Sequence, residues 1–156
     1  VTLVACVNTG EISYMGTRTG QINICAAGIA SSLGGDGWMY GCFSDCEIVT
    51  NGYNHSGLVS DLGYTGENLH YSYSANTALP PLTFGWGGSP ENKTVGHSSY
   101  NDAVENLNKG IEMYNWTATV PCTYKFVKGD KPTMVYAEPS TNPGAGNNDF
   151  GHGGKF

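Results

Sequence analysis

Charged residues are scarce in this chain, and positive charge is the scarcest. Only 13% of the 156 residues are charged, against a usual ~25%. The net charge is −6, and the seven Lys and Arg residues, with a single arginine, are spread along the sequence. Proteins that bind nucleic acids or acidic membranes cluster Lys and Arg to neutralise phosphate. We therefore expect no nucleic-acid partner and no polybasic membrane contact.

The sequence also lacks the signals of several other classes of protein. No apolar run approaches the ~20 residues that span a bilayer, so no membrane span is expected. A Gly-x-Ser-x-Gly nucleophile elbow is missing, which disfavours a serine hydrolase. Cys42 and Cys46 are not followed by a second Cys or His pair at ligand spacing, so we predict no metal site and no cofactor.

Cysteines and N-glycosylation sequons are what the chain has in excess. The sequons place Asn54, Asn92 and Asn115 as glycosylation sites, and the cysteines are Cys6, Cys25, Cys42, Cys46 and Cys122. Sequons have meaning only on an oxidising secretory route, where thiols pair. The chain is therefore expected to be secreted and extracellular, with Val1 as a processed end.

Two segments show the spacing of an amphipathic helix. Ile22, Cys25, Ile29 and Leu33 share one helical face that ends at Gly34-Gly35, where glycine tolerates the left-handed cap. The second stripe is the clearer one: Tyr100, Val104, Leu107, Ile111 and Tyr114. Ser99 and Asp102 form an imperfect capping box before it.

Short β-branched and alternating runs between turn residues predict six or more strands, among them 2–7, 38–43, 46–50, 69–74, 123–127 and 133–137. Together with two helices, this predicts an α+β fold with an antiparallel sheet, two helices packed on one face, and disulfide stabilisation. We expect one secreted domain over 1–138. The segment 139–156 is rich in Gly, Asn and Pro and is expected to be a loose tail.

Five cysteines can form two bridges and leave one over, which is then free or pairs between chains to form an oligomer. We expect Cys6, Cys25 and Cys122 to be oxidised, with one of Cys42 and Cys46 completing the set. A Cys25–Cys122 bridge is the hypothesis for tying the helices to the sheet.

The segment 95–122, VGHSSYNDAVENLNKGIEMYNWTATVPC, resembles the C-terminal signature of the fungal necrosis-inducing secreted effectors. The matching features are Val95-Gly96, Asp102, a helix through Ile111, Tyr114-x-Trp116 and Cys122. Upstream landmarks occur in the same order: Cys6, Cys25, Gly35-Asp36-Gly37-Trp38 and Tyr40-Gly41-Cys42. Cys46, the tail and the insert around 72–90 depart from the pattern.

This resemblance implies a secreted fungal effector or toxin that binds a protein or glycan on a host or competing microbial cell. Cell death or growth inhibition would be the readout. The effectors are similar in layout to the small α/β killer toxins of smut fungi, which agrees with the α+β prediction. The resemblance carries over no catalytic residue.

Two further functions stay open. A secreted ribonuclease would need an acid/base pair and a cation, and His70, Glu67 and Arg18 are the candidates. The other histidines, His55, His97 and His152, have plainer structural interpretations.

A carbohydrate or cell-wall binding module would use exposed aromatic side chains, for which we single out Tyr71, Tyr73, Phe84 and Trp86. Trp38 and Trp116 flank regular elements and are expected in the core. Whether the chain is an enzyme is left uncertain, with binding favoured.

Overall fold

The computed structural model describes residues 1–14, 25–50, 54–62, 66–84 and 92–138. In these ranges the chain winds into successive coils of short strands that stack on one another. The first coil contains β1 (Thr2–Val4), β2 (Val7–Asn8), β3 (Glu11–Tyr14) and β4 (Cys25–Ala27). The second contains β5 (Trp38–Tyr40), β6 (Phe43–Ser44), β7 (Glu47–Thr50), β8 (Asn54–Ser56) and β9 (Val59–Leu62). The third contains β10 (Leu69–His70), β11 (Ser72–Ser74) and β12 (Leu82–Phe84), and β13 (Val95–His97) begins a fourth.

Each strand pairs in parallel with the strand of the neighbouring coil. Thr2 lies opposite Trp38, 36 residues later, and Met39 lies opposite Leu69, 30 residues later. The same parallel stacking gives the sheet order β13-β11-β6-β2 and the pairs β3-β7, β4-β8 and β9-β12. This arrangement is a parallel β-solenoid, in which each strand hydrogen bonds to residues about one coil away in sequence.

The bend between the first two strands of each coil is made by a residue in the left-handed region. These residues are Ala5 (φ 52°), Gly41 (φ 58°) and Tyr71 (φ 49°). Backbone hydrogen bonds link them from coil to coil, because Ala5 donates to the Tyr40 carbonyl and Gly41 donates to the His70 carbonyl. A sharp turn is therefore repeated at the same place in three coils.

The interior of the solenoid is a column of aliphatic side chains. Fully buried Met39, Leu58, Leu69 and Leu82 lie in it, and Leu3 packs against it from the first coil. Successive residues of a strand point to opposite faces, so neighbours such as Trp38 and Tyr40 face outward. The solenoid thus has a dry core and a separate outer surface.

The walls approach closely where glycine faces serine. A Cβ added to Gly28 would lie 2.1 Å from the Gly57 carbonyl oxygen and 2.1 Å from Ser44 Oγ. One coil further, a Cβ on Gly57 would lie 2.2 Å from Ser74 Oγ. The repeated glycine sets the narrow cross-section of the solenoid at this level.

Helix α1 (Tyr100–Asn115) covers the outer face of the sheet that contains β6 and β11. Ser99 caps it by accepting a hydrogen bond from the Asp102 backbone N–H at 3.4 Å. Its buried side chains, including Val104, Leu107 and Ile111, form a second core with Phe43. The stripe and cap predicted for this helix are confirmed.

A hairpin closes over the far side of α1. It consists of β14 (Tyr124–Val127) and β15 (Thr133–Tyr136), and it is the antiparallel pair among the described strands. Phe126 of β14 is buried against α1, and its backbone exchanges two hydrogen bonds with the side chain of Asn108. No helix in the described ranges has the length and apolar character needed to cross a membrane.

The predicted fold class is wrong. The described residues contain one helix rather than two, their sheets are mostly parallel, and no disulfide bond is found among them. The described part of the first predicted helix, from Cys25 to Leu33, is instead the strand β4 followed by bridges from Ala30 to Val59 and from Leu33 to Leu62, and Ile22 lies outside the described residues. The helical spacing is overridden because these residues hydrogen bond to the next coil. The predicted tail, 139–156, lies outside the described residues.

Candidate functional site

An aromatic cluster lies on the outer face of the sheet formed by β1, β5 and β10. The rings of Trp38 and Tyr40 are parallel within 2°, with centroids 6.1 Å apart. The His70 ring stacks 5.1 Å from Tyr40 and 6.1 Å from Trp38. Tyr114, near the end of α1, contacts Tyr40 at 5.8 Å. Parallel in-register strands produce this grouping, because they place outward residues of adjacent coils side by side.

The cluster leaves the Trp38 indole partly open to solvent. Trp38 is 38% exposed, whereas Tyr40 and His70 are each 9% exposed. Burial, and then the nearby Tyr114 phenol, raise the pKa of Tyr40. The Tyr40 phenol therefore stays neutral at physiological pH.

A cleft of about 260 Å³ adjoins the start of β5 and β10. Its walls are the Gly34-Gly35 turn and the Gly66–Asn68 turn, and its base includes Leu33, Leu62 and Leu69. Glu67 is the ionisable side chain among the described lining residues, and it is exposed. Apolar walls with a few polar groups are typical of small-ligand sites.

Asn68 joins the cleft to the aromatic cluster. Its side-chain amide donates a hydrogen bond to the Gly35 carbonyl at 3.0 Å, which fixes the two turns that form the cleft. By the register of β5 with β10, Asn68 also lies beside Trp38 in the next coil. We therefore treat the cleft and the Trp38 face as one continuous surface, and call it the Trp38 surface.

No family model, no curated protein and no solved structure matches this chain. The Trp38 surface must therefore be interpreted from its own chemistry.

The aromatic residues singled out from the sequence are not gathered at one place. Tyr73 is half-buried against the core beneath α1, and Phe84 packs against the solenoid interior. Tyr71 forms the third left-handed bend, next to α1. Trp86 lies outside the described residues. The structure instead exposes Trp38 and Trp116, at 38% each, although both were expected in the core.

Of the three ribonuclease candidates, the structure describes His70 and Glu67. His70 is buried in the aromatic cluster on the outer face, whereas Glu67 lines the cleft. His97 is exposed and contacts the Leu79 carbonyl at 2.7 Å. Arg18 and His152 lie outside the described residues. In the described residues no group of three or more His, Cys, Asp or Glu side chains is arranged to hold a metal.

The cysteines occupy different parts of the fold. Cys6 and Cys42 lie side by side in the first two coils, and Cys46 is buried with its sulfur 3.2 Å from Ser44 Oγ. Cys25 starts β4. The Cys122 backbone N–H donates to Asn115 Oδ1 after α1. The structure contains no disulfide bond between Cys25 and Cys122, so the predicted Cys25–Cys122 bridge is not formed.

Two of the three sequon asparagines act within the fold. Asn92 Nδ2 donates to the carbonyls of Gly66 (2.8 Å) and Leu69 (3.0 Å), which holds one wall of the cleft. Asn115 Nδ2 donates to the Cys122 carbonyl at 3.0 Å. A sugar on Asn92 would replace one of its two engaged N–H groups, so glycosylation there and this hydrogen bonding are alternatives. Asn54 lies in β8, and glycosylation of all three remains a prediction.

Asn92→Ala should lower the free energy of unfolding by roughly 2–3 kcal/mol, because two partly buried carbonyl groups each lose one of their two donors. Asn92 Oδ1 also accepts from the Thr94 backbone N–H at 2.9 Å, and this bond is lost too. Urea denaturation monitored by circular dichroism measures the effect. Asn101→Ala is the control, since its exposed side chain accepts one bond from Gly129. Equal stability of Asn92→Ala and the wild type would show that these bonds do not hold the cleft wall.

Proposed function

We propose that this chain is a binding module that binds a carbohydrate on the Trp38 surface. The observation that carries the proposal is the exposed indole of Trp38, which stacks with Tyr40 and His70 next to a largely apolar cleft with a few polar groups. An exposed large aromatic side chain whose orientation is fixed by stacking gives up little conformational freedom when it binds a ligand.

The chemistry of the surface suits a sugar ring. The axial C–H groups of a pyranose form an apolar, slightly positive face, and the electron-rich face of an indole attracts it. The Glu67 carboxylate, the Asn68 amide and the Gly34-Gly35 backbone lie where ring hydroxyl groups would need partners. A stacked ring with hydrogen bonds at its edge is therefore the kind of ligand that this surface accommodates.

Binding is favoured over glycoside cleavage. Glycosidases generally use two carboxyl groups on either side of the bond that is cleaved. The described lining of the cleft supplies the single carboxylate of Glu67. The net charge of −6 also favours a neutral glycan over an anionic one.

A glycan-binding surface is compatible with the effector role implied by the resemblance, in which a secreted protein acts on a host or competing cell. The killer-toxin layout no longer supports that role, because the fold is a solenoid. Cell death and growth inhibition stay predictions, and leaf infiltration beside a microbial growth assay tests them.

Trp38→Ala should weaken binding to neutral oligosaccharides about tenfold, which corresponds to the ~1–1.5 kcal/mol of one aromatic stacking contact. A panel of soluble hexose and N-acetylhexosamine oligomers, measured by isothermal titration calorimetry, first identifies a ligand for the wild type. Trp116→Ala is the matched control, because Trp116 is equally exposed at 38% but follows α1 instead of lying in the sheet of β1, β5 and β10. The proposal fails if no oligomer binds the wild type or if both variants lose affinity equally.

A further inference from the structure

Cys6 and Cys42 occupy the same position in two consecutive coils. The register on both sides is offset by 36 residues, since Val4 pairs with Tyr40 and Val7 pairs with Phe43. Each cysteine directly follows a left-handed bend residue, Ala5 or Gly41. The Phe43 N–H donates to the Cys6 carbonyl at 2.9 Å, so a backbone hydrogen bond joins the two coils next to the cysteines. Both side chains belong to the solenoid core.

The two thiols are close enough to influence each other's ionisation, and they differ in environment. Cys42 is fully buried, whereas Cys6 is half-buried in the first coil. The hydrogen bond from Cys42 outweighs burial and lowers the pKa of Cys6 to about 7. The same hydrogen bond, followed by burial, raises the pKa of Cys42 well above its usual value. One thiol is therefore the accessible nucleophile and its neighbour is a protected proton donor.

We propose that Cys6 and Cys42 are a dithiol site that reacts with small-molecule disulfides and closes into a bond between the first two coils. The site goes beyond carbohydrate binding and does not depend on it. The fold does not need the bond, because the coils are already paired with both thiols reduced. The site is a reversible redox linkage rather than a staple that holds the fold.

The reaction balances with a small disulfide as the oxidant. The Cys6 thiolate attacks one sulfur of the disulfide, which releases one thiolate and leaves a mixed disulfide on Cys6. Cys42 then gives up its proton and attacks the Cys6 sulfur, which releases the second thiolate. The two cysteine thiols together lose two electrons and two protons, and the external disulfide is reduced to two thiols.

The backbone geometry permits closure with a small adjustment. Neighbouring strands lie about 4.8 Å apart, within the Cα separation of roughly 4.4–6.8 Å that disulfides adopt. In a disulfide the two Cβ atoms lie ~3.8 Å apart. This distance is shorter than the strand spacing, so the two strands must move slightly toward each other. The strands β1 and β2 can make this shift because each is an edge strand of its sheet, with a described partner on one side.

The third coil has a serine, and not a cysteine, at the equivalent position. Ser72 stands at the equivalent position after Tyr71, and its Oγ accepts a hydrogen bond from the Cys42 backbone N–H at 3.0 Å. The serine shows that the coil tolerates a hydroxyl at this position, so Cys42→Ser is a conservative variant.

The test is treatment of the reduced, folded full chain with oxidised glutathione at neutral pH, followed by acid quenching and non-reducing peptide mass spectrometry. We expect a Cys6–Cys42 cross-linked peptide that has lost two hydrogens. In the reduced chain, iodoacetamide should label Cys6 at least about tenfold faster than Cys42, since Cys6 is the more accessible thiol and the thiolate is the reactive form. A stable glutathione adduct on Cys6 of the wild type, a bridge between other cysteines or no reaction at Cys6 would each overturn the proposal.

Two variants separate the roles of the thiols. Cys42→Ser should keep glutathione on Cys6, because the resolving thiol is gone. Cys46→Ser is the matched control, since Cys46 is also buried but contacts Ser44, and it should still form the Cys6–Cys42 bond. Loss of the bond in Cys46→Ser would contradict the assignment. Far-UV circular dichroism confirms that each variant is folded, and the mapping of the wild type decides the question if Cys42→Ser does not fold.

Discussion

Gly28→Ala is expected to destabilise the protein by about 3 kcal/mol or more, at the upper end of what overpacking a core usually costs. The added methyl would lie 2.1 Å from both the Gly57 carbonyl oxygen and Ser44 Oγ. Both obstacles belong to paired strands or the turns next to them, so one wall of the solenoid must move away from the other. Thermal unfolding followed by circular dichroism should show a midpoint lowered by roughly 6–12 °C for a chain of this size.

Gly34→Ala is the matched control for this substitution. A Cβ at Gly34 meets nothing within 4 Å, and its φ lies outside the left-handed range. This variant should be neutral or gain a few tenths of a kcal/mol by restricting the unfolded chain. If Gly28→Ala is as stable as Gly34→Ala, the two walls do not approach one another as described.

Gly110→Ala gives the second large effect, and its sign separates two explanations. Gly110 lies inside α1, where alanine would normally stabilise a helix by about 1 kcal/mol. The added methyl, however, would lie 2.6 Å from the Gly41 backbone nitrogen and 2.9 Å from its Cα. Because those atoms form the left-handed bend of the second coil, we expect a net loss of roughly 1–3 kcal/mol as the helix is pushed outward.

The measurement is the free energy of unfolding from urea titration, with Lys109→Ala as the control on the exposed side of the same helix. That control should stay within about 0.5 kcal/mol of the wild type. A stabilised Gly110→Ala would mean that helix propensity decides this position and that α1 does not pack tightly against the bend.

The helix was predictable because its determinants are local. The stripe through Val104, Leu107 and Ile111 and the cap at Ser99 lie within the helix or next to it, and each is present in the structure. The close approach at Gly110 was not local, since its partner is Gly41 of the second coil.

The sheet was not predictable from local pattern, because its pairing is not local. The segments 38–43 and 46–50 were predicted as strands of an antiparallel sheet, but each pairs in parallel with a segment about one coil away. Strand propensity indicates which residues form a strand, but it does not determine which other strand they pair with.

An internal repeat would have identified the partner. The sequence AGIASSLG at 27–34 recurs as SGLVSDLG at 56–63, a spacing of 29 residues that matches the offset between β4 and β8. VACVNTGEI at 4–12 likewise recurs as YGCFSDCEI at 40–48, with the offset of 36. Repeats at such periods indicate solenoids, and the first repeat excludes the helix that was predicted over Ile29 and Leu33.

The Trp38 surface depends on the same non-local stacking. Trp38, Tyr40 and His70 are separated in sequence, and only the register of β5 with β10 brings the histidine beside the two other rings. The Gly34–Gly37 segment before Trp38 was a usable signal, since glycine-rich turns often border binding sites. The odd count of cysteines gave no information about which two lie together, because that too follows from the offset of 36 residues.

The most direct test of the account is the strand register, measured by nuclear Overhauser effects in the isotopically labelled protein. The solenoid predicts backbone contacts that join Ile12 with Ile48 and Met39 with Leu69. Antiparallel contacts between 38–43 and 46–50, without those long-range pairs, would contradict it, and with it the grouping of Trp38 with His70 and of Cys6 with Cys42.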